Sequence, residues 1–314
     1  RRDRGGRRRP VAATRLAGGE PDMSVRLGYG LNGFAGHRLA DACAVVSSLG
    51  YEGIGLTLDQ PHLDPFGDLP SQIAHARRCL EANHLASVVE TGSRYVLDPW
   101  HKHEPTLVSD DGRERRVDLL RRAVRIAHEL GSEAVSCWSG TAPTGVGAAV
   151  LWRRVVNGLG PVLDDAADLG VTVCVEPEPG MFLSTLDEVL DLRARFGDPE
   201  HLQVTLDLGH LVCNEPRTPA ETVHRAGPVL GNVQVDDMVR DVHEHLELGT
   251  GELDLDDVLG ALVATGYTGL ACVELPRHSH AAPAVAASTM VALRASLDRI
   301  GTPAAIPAAA GSAR

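Results

Sequence analysis

The sequence predicts an α/β protein, a closed (β/α)8 barrel in a single domain. Short apolar, β-branched runs alternate with longer segments of helical period from Met23 to about residue 300, eight of each. Several helical segments stop at a glycine just before the next run, as in HELGSEAV and ADLGVTVC, the place where glycine ends helices. The first run is followed by GLNGFAGH, which lacks the phosphate loop that usually opens a doubly wound sheet. The closed barrel is therefore preferred to the open sheet.

The strand runs are VRLGYGL (25–31), GIGLTL (53–58), ASVVET (86–91), AVSCW (134–138), VTVCVEP (171–177), LQVTLDL (202–208), NVQVDD (232–237) and LACVEL (270–275). Helical segments fill 37–49, 70–83, 114–130, 147–169, 184–196, 217–227, 254–265 and 281–299. The barrel thus occupies 23–300. Before it, residues 1–22 carry seven Arg against Asp3, Glu20 and Asp22. That stretch has no apolar segment behind its Arg pair, so it reads as a disordered basic tail and not an export signal. The Ala/Pro/Gly-rich residues 301–314 read as a flexible tail.

Composition narrows the function. The 314 residues are 43% hydrophobic and 23% charged, with a net charge of −12, the mix of a soluble globular protein. No apolar run reaches the roughly 18–20 residues that span a bilayer, so no membrane role is expected. The basic tail holds a local +4, which leaves about −16 on the rest, a poor surface for nucleic acid. The six cysteines, Cys43, Cys79, Cys137, Cys174, Cys213 and Cys272, stand singly with no CxxC pair. They read as buried reduced thiols of a cytoplasmic protein.

Barrel active sites lie at the C-terminal ends of the strands. Strand three ends there in Glu90, strand five in Glu176-Pro-Glu178, strand six in Asp207-Leu-Gly-His210. Strand seven holds Gln234 and ends in Asp236-Asp237; strand eight ends in Glu274. Converging carboxylates repel one another in a dry site, and a divalent cation relieves that cost. Oxygen ligands from Glu176, Asp207, Gln234 and Glu274 suit Mn²⁺ first, with Mg²⁺, Co²⁺ or Zn²⁺ as alternatives. The competing reading is that each acid caps the helix that follows it. His210 is a candidate substrate-binding group. His243 and His245 share a face if their segment is extended, and as nitrogen ligands they would favour Zn²⁺. Arg94, His101, Lys102 and His103 form the densest basic cluster of the acidic body, and Lys102 is the only lysine. With Glu90 they read as a rim loop, a lid or an anion clamp for a substrate phosphate or carboxylate, with a merely solvated loop as the alternative. No GxSxG, Walker or HExxH motif is present.

The order Glu…Asp-x-x-His…Gln-x-x-Asp…His…LGxGxxD…Glu-x-P over 171–276 resembles the xylose-isomerase-like TIM barrels, which include sugar and sugar-phosphate isomerases and epimerases, inosose dehydratases and endonuclease IV. The resemblance to the ketose 3-epimerases implies that Glu176, Asp207, Gln234 and Glu274 are metal ligands. It also implies that Glu176 and Glu274 form the acid/base pair, and that His210 and Arg240 bind substrate oxygens. The strand-seven ligand of those enzymes is usually His, whereas this chain has Gln234, for which His243 or His245 could substitute. Endonuclease IV is similar at Asp207, His210 and His245, but a body this acidic does not suit DNA. The implied activity is metal-dependent isomerisation or epimerisation of a ketose, ketose phosphate or keto-cyclitol through a metal-stabilised enediolate. A dehydratase on a related keto-polyol is the nearest rival, followed by a hydrolase using metal-bound water and by a non-catalytic metal-binding subunit. The resemblance also suggests a homo-oligomer.

Overall fold

The computed structural model describes residues 25–301, so both tail readings lie outside the described residues. The strands are β1 (Arg26–Gly30), β2 (Gly53–Thr57), β3 (Ala86–Glu90), β4 (Val135–Trp138), β5 (Val173–Glu176), β6 (Leu202–Asp207), β7 (Leu230–Val235), β8 (Asp237–Val239), β9 (Val242–Leu246) and β10 (Leu270–Val273). Eight of them close a barrel in the order β1-β10-β7-β6-β5-β4-β3-β2. Every pairing in it is parallel. The remaining two, β8 and β9, form an antiparallel hairpin over the C-terminal mouth.

The helices are α1 (Leu39–Ser48), α2 (Leu69–Asn83), α3 (Arg113–Leu130), α4 (Ala148–Leu169), α5 (Leu186–Arg195), α6 (Leu208–Asn214), α7 (Pro219–Ala226), α8 (Leu255–Ala264) and α9 (Ala282–Gly301). Gly131 and Gly170 follow α3 and α4 with φ of 68° and 66°, a conformation glycine adopts without a Cβ penalty. Two elements depart from the predicted pattern, the short α6 and the β8–β9 hairpin. The seven residues of α6 are too few to show a helical period, and the hairpin strands are short and carry Asp237, His243, Glu244 and His245.

Two apolar regions result. The larger lies between the strands and the helices, with Leu56, Leu120, Val155 and Leu206 fully buried. The smaller plugs the barrel's lumen with Val88, Ala134, Cys174, Leu270 and Cys272. Above that plug the lumen turns polar: the Ser136 and Thr205 hydroxyls lie 2.8 Å apart, and Asn232 donates to Thr205 at 3.3 Å. All six cysteines are buried and free. Among the described residues no helix is long and apolar enough to cross a membrane.

Candidate active site

The parallel register carries one functional side chain to the mouth from most strands of the barrel. Asp207 ends β6 opposite Gln234 of β7, and Glu176 ends β5 opposite Trp138 of β4. Glu90 ends β3, and Glu274 directly follows β10. The mouth is a cavity of about 480 Å³. Of the residues expected at the site, Glu90, Arg94, Lys102, Glu176, Gln234, His243, His245 and Glu274 line it. Asp207 and His210 lie against these, 1% and 3% exposed. Arg240 does not line the cavity: its guanidinium donates to the backbone carbonyls of Val212 and Glu215, at 3.3 and 2.6 Å. His101 is exposed on the rim beside Asp98.

Each carboxylate has a distinct setting. Glu274 accepts from Asn32 Nδ2 at 2.8 Å and from the Gln234 amide on its other oxygen. The Gln234 carbonyl oxygen is therefore free, buried and without a partner. Glu90 accepts from the Thr57 hydroxyl at 3.0 Å, and burial pushes it up to about 7. Burial also raises Glu176 and raises Glu274 well above the carboxylate range, with Glu90 and Asp207 adding to both. Asp207 differs. One oxygen caps α6 by accepting the His210 backbone N–H at 3.0 Å, while the other is buried and unpartnered. Burial would raise it, yet His210 and His245 hold it below the usual range. The helix-cap reading thus holds for half of Asp207 and leaves the other oxygen bare.

His210 sits 3.3 Å from Glu176 through Nδ1 and 3.1 Å from His243 Nε2 through Nε2. Burial disfavours its charge, but Asp207, Glu178 and Glu176 raise its pKa well above the ordinary value. Glu178, which was not among the expected site residues, lines the cavity 3.3 Å from His243. Burial pushes Glu178 up to about 8. The repeated Glu-Pro of EPEP was the sequence signal for it.

The two acids that follow β7 have opposite fates. Asp237 accepts the N–H groups of Gly249, Gly251 and Leu253, each at 2.9 Å, so it holds the LGTGELD turn together. Asp236 is fully buried and points the other way. One of its oxygens meets His245 Nδ1 at 2.5 Å, and the other has no partner. Gly209 makes room for it, since a Cβ there would lie 2.0 Å from Asp236 Oδ1. Burial and the Asp207 charge raise Asp236 well above the carboxylate range. Burial lowers His243 to about 4 and His245 to about 3.

Bare buried oxygens on Asp207, Gln234 and Asp236 are costly unless a cation or proton meets them. The donor set fits a divalent cation. Ligand atoms of Glu176, Asp207 and His210 lie within 4.8 Å of one another, as do those of Asp207, Asp236 and His245, and of His210, His243 and His245.

The rim loop is tied down by a residue that was not foreseen. Arg116 of α3 is 2% exposed and donates to the carbonyls of Thr91, His103 and Pro105 at 3.2, 2.5 and 3.0 Å. Its guanidinium also lies 4.6 Å over the ring of Trp138, which lines the cavity. A buried cation on three carbonyls fixes the loop that brings Arg94, Lys102 and His103 to the cavity. Inside an Arg-rich helix, RERRVDLLRR, nothing in the sequence singles it out.

The chain matches the profile of the xylose isomerase-like TIM barrels over residues 43–296, and it belongs to that family. An uncharacterized protein of Methanocaldococcus jannaschii, MJ1311, is 26% identical over 214 residues, which span 62% of this chain and 70% of that protein. Among solved structures, a D-tagatose 3-epimerase-like protein superposes with a TM-score of 0.73 at 20% identity, covering 88% of this chain and 98% of that one. The 3-keto-D-glucoside 4-epimerase YcjR of E. coli superposes at 0.71 and 16% identity, over 87% and 100%. The D-allulose 3-epimerase of Methylomonas sp. does so at 0.70 and 21%, over 87% and 97%. At these identities the likeness is one of fold.

Proposed function

We propose that this protein is a divalent-metal-dependent isomerase or epimerase of a ketose, ketose phosphate or keto-cyclitol, working by proton transfer through an enediolate. The observation that carries this reading is the pair of carboxylates Glu176, buried, and Glu274, half-buried, both raised in pKa and both lining one polar cavity. Proton abstraction next to a carbonyl needs a carboxylate more basic than its ordinary form, and burial raises both. The names of the similar structures, 3-epimerases of D-tagatose and D-allulose type and a 4-epimerase of a 3-keto-glucoside, support the same chemistry.

When bound, a divalent cation held by Glu176, Asp207, Gln234 and Glu274 supplies Lewis-acid polarisation of a substrate carbonyl. The chain's own groups do the rest. Asn32 and Gln234 aim the Glu274 carboxylate by donating to both of its oxygens. In that state it is an acceptor and suits removal of the C–H proton. Glu176 lies against His210, which can hold a proton beside it and help return one. Return to the opposite face gives an epimer; return to the neighbouring carbon gives an isomer. Arg94 and Lys102, cations that line the cavity of an acidic protein, suit a phosphate or carboxylate on the substrate.

The test is to incubate the full chain with Mn²⁺ or Zn²⁺ and a panel of ketoses, ketose phosphates and inososes in D₂O. The expected result is deuterium at the carbon beside the carbonyl of at least one of them. An unsaturated product would redirect the reading to a dehydratase. No exchange on any member, despite bound metal, would leave a non-catalytic barrel.

A further inference from the structure

We infer that Glu90 is a specificity-determining residue of the site: from the wall opposite the other acids, it accepts a hydrogen bond from a neutral substrate hydroxyl remote from the carbonyl. The inference rests on the isomerase or epimerase reading above and narrows its substrate to one whose far end is an uncharged hydroxyl.

The ring of strands sets the placement. Glu176, Asp207, Gln234 and Glu274 come from β5, β6, β7 and the end of β10, which are neighbours in the barrel. β3 stands four places from β7 in either direction, so Glu90 faces that arc from the opposite wall. A substrate held against the arc by its carbonyl end carries its remaining hydroxyls toward Glu90. Thr57 of β2 and Ser136 of β4 are the register partners of Glu90, and all three line the cavity. The far wall is thus a row of hydroxyls around one carboxylate.

That carboxylate is set to accept. One oxygen takes the Thr57 hydroxyl at 3.0 Å, and the other has no protein partner among the described residues. Glu90 is 5% exposed, so an unmet oxygen there is costly. The charge that acts on it is that of Asp207, another acid. The rim cations stand apart: Lys102 is exposed, and Arg94 donates to the Asn32 carbonyl at 3.3 Å. A phosphate or carboxylate reaching Glu90 would meet like charge with no paired cation to offset it, whereas a hydroxyl supplies the missing donor. The backbone keeps the space open. Gly28 pairs with Gly53 and Gly30 with Gly55 along β1 and β2. Glu90 lies over Gly55, where a Cβ would overlap its Oε1. A glycine inside a strand marks such a close approach.

The experiment is calorimetric titration of the Mn²⁺-loaded full chain with D-2-ketohexoses and inososes, each paired with forms lacking one hydroxyl remote from the carbonyl. For a sugar that the wild type binds, removal of the hydroxyl that Glu90 reads is expected to raise Kd about 10- to 100-fold, the range of a hydrogen bond to a charged group. In Glu90→Ala the parent sugar should bind as weakly as that deoxy form binds to the wild type. The same removal should then change Kd by less than about twofold, since the two losses are one interaction. Glu90→Gln keeps a carbonyl oxygen and should retain part of the discrimination. Gly55→Ala displaces the carboxylate without removing it and should lose the discrimination as Glu90→Ala does. Thermal melts control for folding. Discrimination in Glu90→Ala equal to that of the wild type overturns the inference. So does loss of Mn²⁺ binding in Glu90→Ala, which would make Glu90 a metal ligand. A wild type that binds no metal, or none of the sugars, sinks the proposed function and the inference with it, whereas the first two results leave the proposed function standing.

Discussion

The two levels of the barrel lumen are built from opposite chemistry. At the floor, Val88, Ala134, Cys174, Leu270 and Cys272 pack against one another, all essentially inaccessible. At the mouth, Glu90, Glu176 and Gln234 are about as deeply enclosed but polar, and Glu274 stands half-buried beside them. Burial stabilises the floor, at about 1.5–3 kcal/mol for a large apolar side chain. It destabilises the mouth, where carboxylates lose water and several oxygens find no donor. The difference teaches that the floor contributes to the fold, while the mouth holds polar groups at a cost to it.

The contrast breaks most visibly in catalysis. Glu274→Gln and Glu176→Gln are each expected to lower kcat about 100- to 10,000-fold with the fold intact. Steady-state kinetics on the substrate found by deuterium exchange, with circular dichroism alongside, checks this. If both variants keep full activity, the mouth is not the reacting level.

Next in size is a change at the floor. Leu270→Ala removes a fully buried side chain from the plug. It should cost about 2–5 kcal/mol in urea melts and leave KM unchanged. A loss below about 1 kcal/mol would mean that the plug is not what holds the lumen.

A smaller effect carries the sign of the mouth. Glu90 is pushed by burial from its ordinary 4.5 to about 7 in the folded chain. Its stabilising contribution is thus complete below the ordinary value and is lost as pH rises through about 7. In metal-free protein, Glu90→Gln should match the wild type at low pH and exceed it at pH of about 8, by about 1–3 kcal/mol. Urea melts at the two pH values decide it, and a variant that is weaker at both would show that Glu90 is better satisfied than its burial indicates.

The smallest change tests the rim. Arg240 ties two backbone carbonyls and stands off the cavity. Arg240→Ala should cost at most about 1 kcal/mol and leave KM within twofold. A tenfold rise in KM would return Arg240 to the substrate.

Much of this was readable in the residues, because it depends on local order. Alternating apolar runs and helices, with glycines such as Gly131 and Gly170 at the joints, specify the barrel, since period and chain reversal are properties of neighbouring residues. The strand ends follow from that period, so Glu90, Glu176, Asp207, Gln234 and Glu274 could be placed at one mouth. Other assignments depended on contacts between segments far apart in the chain. Asp236 and Asp237 are adjacent and identical in type. Only folding decides that one caps a glycine turn and the other stands beside Asp207 and His245. Likewise, nothing local separates Arg116 from the other arginines of its helix, yet it alone of them is buried on three carbonyls and an indole ring. Sequence by itself determined the fold and the polar side chains gathered at its mouth. Tertiary structure decided which oxygens and nitrogens are left without partners, because hydrogen-bond satisfaction is settled only when all the surrounding groups are in place.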